Sequence, residues 1–160
     1  MGFTPKEINL IEIAGLLHDV GKLGIPRKIL NKPARLTDEE YEVIKQHSQL
    51  GANILTDLPG MKDISSYILH HHERWDGKGY PAKLKEKEIP IGAQILGVCD
   101  AACSMLEGRV YAAKKSVADV IDELQKFKGT QFAPAPTDIL IEMLNNPKIV
   151  KKILAFYKEN

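Results

Sequence analysis

Apolar residues recur along the chain at helical spacing, and turn residues interrupt them at short intervals. Ile8, Ile11, Gly15 and Leu16, with acids between them, predict a helix over 4–20, capped by Thr4, with Pro5 at its first position and Gly21 as its end. Gly24 and Pro26 then impose an irregular connection, and 27–35 reads as a loop carrying several positive charges. Thr37 and Glu40 make a capping box for the next helix, whose inner stripe is Tyr41, Ile44, Gly51, Ile54 and Leu55, with His47 on it. After the Leu58-Pro59-Gly60 turn, Ile64, Tyr67 and Ile68 define another inner face; the same phase reaches His71 and His72 and leaves His70 pointing elsewhere.

Gly77, Gly79 and Pro81 stop that helix in a tight loop that Trp75 and Tyr80 can pack down. A polar segment over 83–88 leads to Pro90 and a strongly apolar helix over 93–106, with Asp100 as its one acid. Ser116 caps a further helix to Lys128, closed by Gly129, and Thr137 and Pro147 mark two short terminal helices. No run sustains the period of a strand. The predicted fold is all-α, a compact multi-helix bundle forming a single domain over 1–160, without repeat or linker.

Composition narrows the function classes. The 160 residues are 44% hydrophobic and 27% charged, enough to bury a core. A net charge of +1 argues against a dedicated DNA binder and leaves a small anionic ligand open. Cys99 and Cys103, four apart, stack on one helix face and read as small buried hydrophobes in a reducing compartment rather than a disulfide. The longest apolar run, 89–106, is broken by Gln94 and Asp100, so no membrane span or signal peptide is expected, and the expected location is the cytoplasm.

The stretch from His70 to Pro81 holds three of the five histidines and the only tryptophan. Imidazoles massed beside carboxylates are common material for a metal site. A second dense site is His18-Asp19, with Lys22 just beyond, at the end of an apolar helix. An unpaired carboxylate beside leucines is costly to bury, so it reaches solvent or meets a cation; the same holds for Asp100. The inward polar residues are then His18, Asp19, His47, His71, His72 and Asp100. Mixed imidazole and carboxylate ligation suits iron, manganese or zinc, and six ligands suffice for a two-metal site of the kind that hydrolyses phosphoesters. Lys22 is placed either to steady a phosphate oxygen or to sit solvated at a helix C-terminus.

These residues resemble a known family. His18-Asp19 with Gly21-Lys22 is similar to the HD phosphohydrolase motif, and His71-His72-Glu73 through Asp76-Gly77 and Gly79-Tyr80-Pro81 to its HD-GYP extension. The likeness continues through Ile25-Pro26, Lys32-Pro33, Leu36-Thr37, His47, Asp100, Arg109 and Tyr111, so it covers most of the chain. It implies a bacterial phosphodiesterase that hydrolyses cyclic di-GMP to pGpG or GMP at two or three divalent ions, iron or manganese, through a metal-activated water. Asp19 would bridge metals, His18, His47, His71, His72 and Asp100 would complete the ligand set, and Lys22, Arg109 and Tyr80 would face the substrate. Further implied are an upstream sensor or receiver domain and a GGDEF-domain partner docked on the Gly-Tyr-Pro loop.

Two departures qualify that likeness. The family supplies a further His, and in some members a Glu, from a helix ahead of this segment, whereas residues 1–17 contain no histidine, and Glu7 and Glu12 are weak substitutes that read rather as solvated helix acids. The expectation is a domain lacking its N-terminal helix. After Asp100, where the family carries a basic pair, the chain reads Arg109-Val110-Tyr111-Ala112, so Lys114 or Lys115 would have to reach the ligand. The rival reading is a catalytically impaired module acting in cyclic-dinucleotide binding or protein-protein signalling.

Overall fold

The computed structural model describes residues 1–108 and 114–159, with side chains through 155. The helices run in order α1 (Pro5–Leu17), α2 (Arg27–Leu30), α3 (Asp38–Thr56), α4 (Lys62–His70), α5 (Ile91–Glu107), α6 (Val117–Phe127), α7 (Pro134–Leu144) and α8 (Pro147–Glu159), with 3-10 turns at Val20–Gly24 and Glu86–Glu88. Among the described residues the one β-type pairing is an isolated bridge between Lys128 and Phe132, so the fold is all-α as predicted. No helix among them is long and apolar enough to cross a membrane.

The caps sit where the sequence places them. Thr4 accepts the Glu7 amide while Glu7 accepts the Thr4 amide at 2.7 Å, and Thr37 with Glu40 repeats the exchange at 3.2 and 2.8 Å. Each box satisfies two donors that a helix start leaves open, at about 1 kcal/mol per cap. Ser116 and Asp119 do the same for α6, and Gly129 follows its C-cap with φ +78°.

The long apolar helix α5 is shared by two cores, which is why it is apolar on more than one side. Leu96 joins Ala14 of α1, Leu55 of α3, and Ile64 and Ile68 of α4. Val98, Ala102 and Leu106 join Val120 and Leu124 of α6, with Phe132 and Leu144. The four helix segments expected to carry site residues, α1, α3, α4 and α5, therefore converge on the first of these cores.

Several local expectations are corrected. The first helix ends at Leu17, not Val20, because His18 caps it and the chain tightens into the 3-10 turn. Its inner face is Leu10, Ala14 and Leu17; Leu16 is 86% exposed, because apolar residues nearly all round α1 leave its phase undecided until neighbours pack. On α3, Gly51, Leu55 and His47 are buried as expected, while Tyr41 and Ile54 are exposed. Residues 27–30 form one helical turn rather than loop. Helix α5 starts two residues early, at Ile91, and α7 starts at Pro134, with Thr137 buried inside it and its hydroxyl donating to the Ala133 carbonyl at 2.7 Å. Cys99 is half-buried, but Cys103, on the cleft side of α5, is exposed; both thiols are free.

Candidate metal centre

Three imidazoles are held by one device. The ring Nδ1 of His18 meets the Gly15 carbonyl at 2.7 Å, that of His47 the Ile44 carbonyl at 2.7 Å, and that of His71 the Ile68 carbonyl at 2.6 Å. A carbonyl only accepts, so Nδ1 carries the hydrogen in each, and the Nε2 lone pair is left for another partner. Backbone carbonyls in this role fix both the tautomer and the direction of a metal-binding ring.

The Nε2 atoms converge. That of His47 lies 3.2 Å from Nε2 of His72. His47, His71 and His72 offer ligand nitrogens within 4.8 Å of one another, and Nε2 of His71 is buried with no protein partner. A buried orphan nitrogen is costly unless something fills its lone pair. Asp19 joins the groups: Oδ1 is 3.7 Å from His47 Nε2, and Oδ2 is 3.4 Å from His18 Nε2 and 2.6 Å from Lys22 Nζ. Asp100 Oδ1 comes from α5 to within 3.7 Å of His18 Nε2, a basic partner that no nearby stretch of sequence offered.

Charge follows geometry. Burial holds His71 down to about 4, and burial with the neighbouring rings depresses His72 as well; burial likewise lowers His47. These three rings are neutral at pH 7 and able to donate lone pairs. The Asp100 carboxylate, 3.7 Å from Nε2 of His18, raises that ring above its usual value. Burial alone would raise Asp100, but the neighbouring His18 and the surrounding imidazoles outweigh it and keep the carboxyl below its ordinary range. Neutral imidazoles, an orphaned nitrogen and two carboxylates fit a divalent metal ion.

The Gly-Tyr-Pro loop is latched beside this cluster. Tyr80 donates its amide to the His72 carbonyl at 3.3 Å and Ala82 donates to Oε1 of Glu73 at 2.7 Å, across a cis Tyr80–Pro81 bond. A Cβ on Gly79 would overlap the backbone of residues 73 and 74, so the loop could not approach with a larger residue there. Trp75 and Asp76 donate to the carbonyls of Gln131 and Thr130, and Arg74 forks onto Asp76 at 2.8 and 3.0 Å. The Tyr80 ring lies 4.9 Å from that of His72. His70 stays outside the ligand group, with Nδ1 3.6 Å from Glu73 Oε1.

Above the cluster opens a cleft of about 1620 Å³, lined by His18, Asp19, Lys22, His47, His71, His72, Asp100 and Tyr80. Every predicted site residue among those described therefore lines one cavity, and Arg109 lies outside the described residues. One suggestion is corrected: Lys115 turns to Glu123 at 3.1 Å and neither it nor Lys114 lines the cleft. Glu7, on the Thr4 cap, and Glu12 are exposed helix acids, as expected. Sequence reading missed Glu73 as the loop latch, although an acid directly after a His pair and ahead of a Gly-rich turn was its signal. It also missed Tyr41 and Lys45 as cleft wall, which helical phase alone could not reveal.

Comparison with known proteins places the chain. Residues 2–135 match the HD domain family. A Thermotoga maritima protein named as a cyclic di-GMP phosphodiesterase is 39% identical over 145 residues, covering 89% of this chain and 39% of its own length. A Vibrio cholerae protein named as a 3'3'-cGAMP-specific phosphodiesterase is 34% identical over 143 residues, covering 88% and 27%. The chain thus spans well under half the length of these relatives. A crystal structure of a Vibrio cholerae cyclic GMP-AMP phosphodiesterase shares the fold, with a TM-score of 0.67, 17% identity, and 93% of this chain and 41% of that one covered. With its His-Asp pair, its His-His pair and its Gly-Tyr-Pro loop around one cluster, the chain belongs to the HD domain family, as an HD-GYP member.

Proposed function

We propose that this chain is a metal-dependent phosphodiesterase domain that hydrolyses cyclic di-GMP to pGpG or GMP. The observation that carries the reading is the convergence of His18, Asp19, His47, His71, His72 and Asp100 on the floor of a cleft. At about 1620 Å³ that cleft exceeds the usual volume of a small-ligand pocket and suits a dinucleotide. The relatives named as acting on cyclic di-GMP and cGAMP support the substrate class.

Two metal ions, iron or manganese, are the proposed complement. His47, His71 and His72 would hold one and His18 with Asp100 the other, with Asp19, which touches both groups, between them. Such a pair supplies an acidified water and positive charge for the phosphate oxygens. The chain's own residues do the rest. Lys22, now on Asp19, exchanges that carboxylate for a phosphate oxygen, one anion for another. Tyr80 and its loop wall the cleft over His72 and limit water there.

Incubating iron- or manganese-loaded protein with cyclic di-GMP under reducing conditions tests the reading, with the linear dinucleotide or GMP expected. No product with metal bound would overturn it. A binding or signalling module is the second reading, favoured because Ala112 stands where the family carries a basic residue. Elemental analysis separates the two: two or more metals per chain for the enzyme, one or none for the module.

The domain reading is a proposal of the same kind. A helix additional to those described, bearing further metal ligands, would cover Leu16 and Leu23, which flank His18 and Asp19 and are 86% and 85% exposed. Coding sequence ahead of Met1 carrying a histidine-bearing helical segment is the expected finding, and its absence would overturn the reading. A cytoplasmic setting suits the two free thiols, and an upstream sensor domain and a GGDEF-domain partner complete the proposal.

A further inference from the structure

Tyr41 stands in the first turns of α3, at a position where the apolar stripe predicts burial, yet it is 46% exposed and lines the cleft. Lys45 follows one turn later on the same helix face. Its ammonium lies 4.9 Å from the Tyr41 ring centre and 5.5 Å from that of Tyr80. Tyr80 in turn lies 4.9 Å from His72, the rings inclined by 31°. An aromatic, a cation and a second aromatic therefore form a row that starts at the metal cluster and runs outward along one cleft wall.

Tyr41 belongs to neither apolar core. Lys45 pairs with Glu42, whose side chain is 66% exposed and does not line the cleft; such a surface pair contributes little and does not hold the ammonium against a better acceptor. An exposed tyrosine ring is a stacking surface for a nucleobase, and a lysine beside it is a donor for the base edge.

We propose that Tyr41 and Lys45 form a guanine station for the cyclic dinucleotide, Tyr41 stacking on the base and Lys45 donating to its O6 and N7. The proposal rests on the phosphodiesterase reading and deepens it. With one phosphate over the metal ligands, the attached nucleoside extends past Tyr80 along the row. The ammonium is a donor only, so guanine, with adjacent acceptors at O6 and N7, satisfies it twice. Adenine sets an amino donor beside its N7 and satisfies it once.

The test uses the metal-loaded chain and its Tyr41→Ala, Tyr41→Phe and Lys45→Ala variants. The substrates are cyclic di-GMP, cyclic di-AMP and bis(p-nitrophenyl) phosphate, a diester with no nucleobase. Tyr41→Ala is expected to raise KM for cyclic di-GMP about tenfold with little change in kcat. Its kcat/KM relative to the base-free diester falls accordingly, and Tyr41→Phe restores it. Lys45→Ala is expected to narrow the preference for cyclic di-GMP over cyclic di-AMP about tenfold. An unchanged KM in Tyr41→Ala, an equal fall on both diesters, or an unchanged base preference in Lys45→Ala would overturn the station. Native protein that turns over neither diester defeats the phosphodiesterase reading instead. The station is then read by calorimetric titration with cyclic di-GMP, where Tyr41→Ala indistinguishable from the native chain overturns it.

Discussion

Gly21 lies flat against the backbone of His47: a Cβ there would overlap the His47 carbonyl oxygen and stand 2.5 Å from the Gly51 nitrogen. This approach seats the turn carrying His18 and Asp19 on the helix carrying His47, and so sets the 3.7 Å between Asp19 and His47. The obstacles are backbone atoms, which cannot rotate aside. Gly21→Ala is expected to lift the turn off α3, cost on the order of 1–3 kcal/mol of stability and reduce metal uptake. Thermal melting with elemental analysis checks this, and native values for both would show that the contact is slack.

Asp19 touches His18, His47 and Lys22, more members of the cluster than a single ligand role needs. Asp19→Ala should remove metal and hydrolysis together. The expected loss of activity exceeds about 100-fold, the upper end of what losing a supporting partner costs. Turnover preserved in that variant would show that the site lies elsewhere.

Acid should weaken the metal-free fold through the buried imidazoles. His71 is held down to about 4, so between its ordinary value of 6.5 and that point the unfolded chain binds a proton that the folded chain refuses. Stability therefore falls as pH falls through this window, by about 3 kcal/mol from His71 alone. His18, whose value is raised, acts in the opposite direction and offsets part of it. Denaturant midpoints between pH 7 and pH 4 check the sign; a midpoint rising on acidification would contradict it. Metal affinity should decline over the same window, since ligands must be unprotonated.

Glu73 is buried, and its Oε1 is the acceptor for the Ala82 amide that pins the Gly-Tyr-Pro loop. Glu73→Ala leaves that amide without its partner, at about 1–3 kcal/mol. Faster amide exchange over 78–82 is expected, with exchange in α6 unchanged. Equal acceleration in both regions would mean that the whole fold loosened rather than the loop.

Three of the helix starts were legible in the sequence because they rest on local physics. Thr4, Thr37 and Ser116 cap through bonds that span three residues, and no distant partner is needed to write them. His71 keeps the phase of Ile64 and Ile68 as the C-cap of α4, whereas His72 lies in the turn beyond the end of that helix. The clustering was readable for a related reason: a charged or imidazole side chain on an inner stripe demands a partner, and the six residues that make this demand line one cleft.

Which apolar residues face inward on α1 was not legible, because Leu16 and Leu17 are equally apolar and only packing against Leu55 and Leu96 chooses between them. Nor was the place of Tyr41, which a stripe assigns to the core and the open cleft exposes. His70 to Pro81 names chemistry on its own, but the His18–Asp100 pair joins α1 to α5, and the Glu73 latch closes a loop onto the helix before it. Residue types and local period determined what chemistry this chain carries. The close approach of backbones at Gly21 and Gly79 decided where that chemistry meets, because distances between helices depend on what packs between them and not on the order of residues within each.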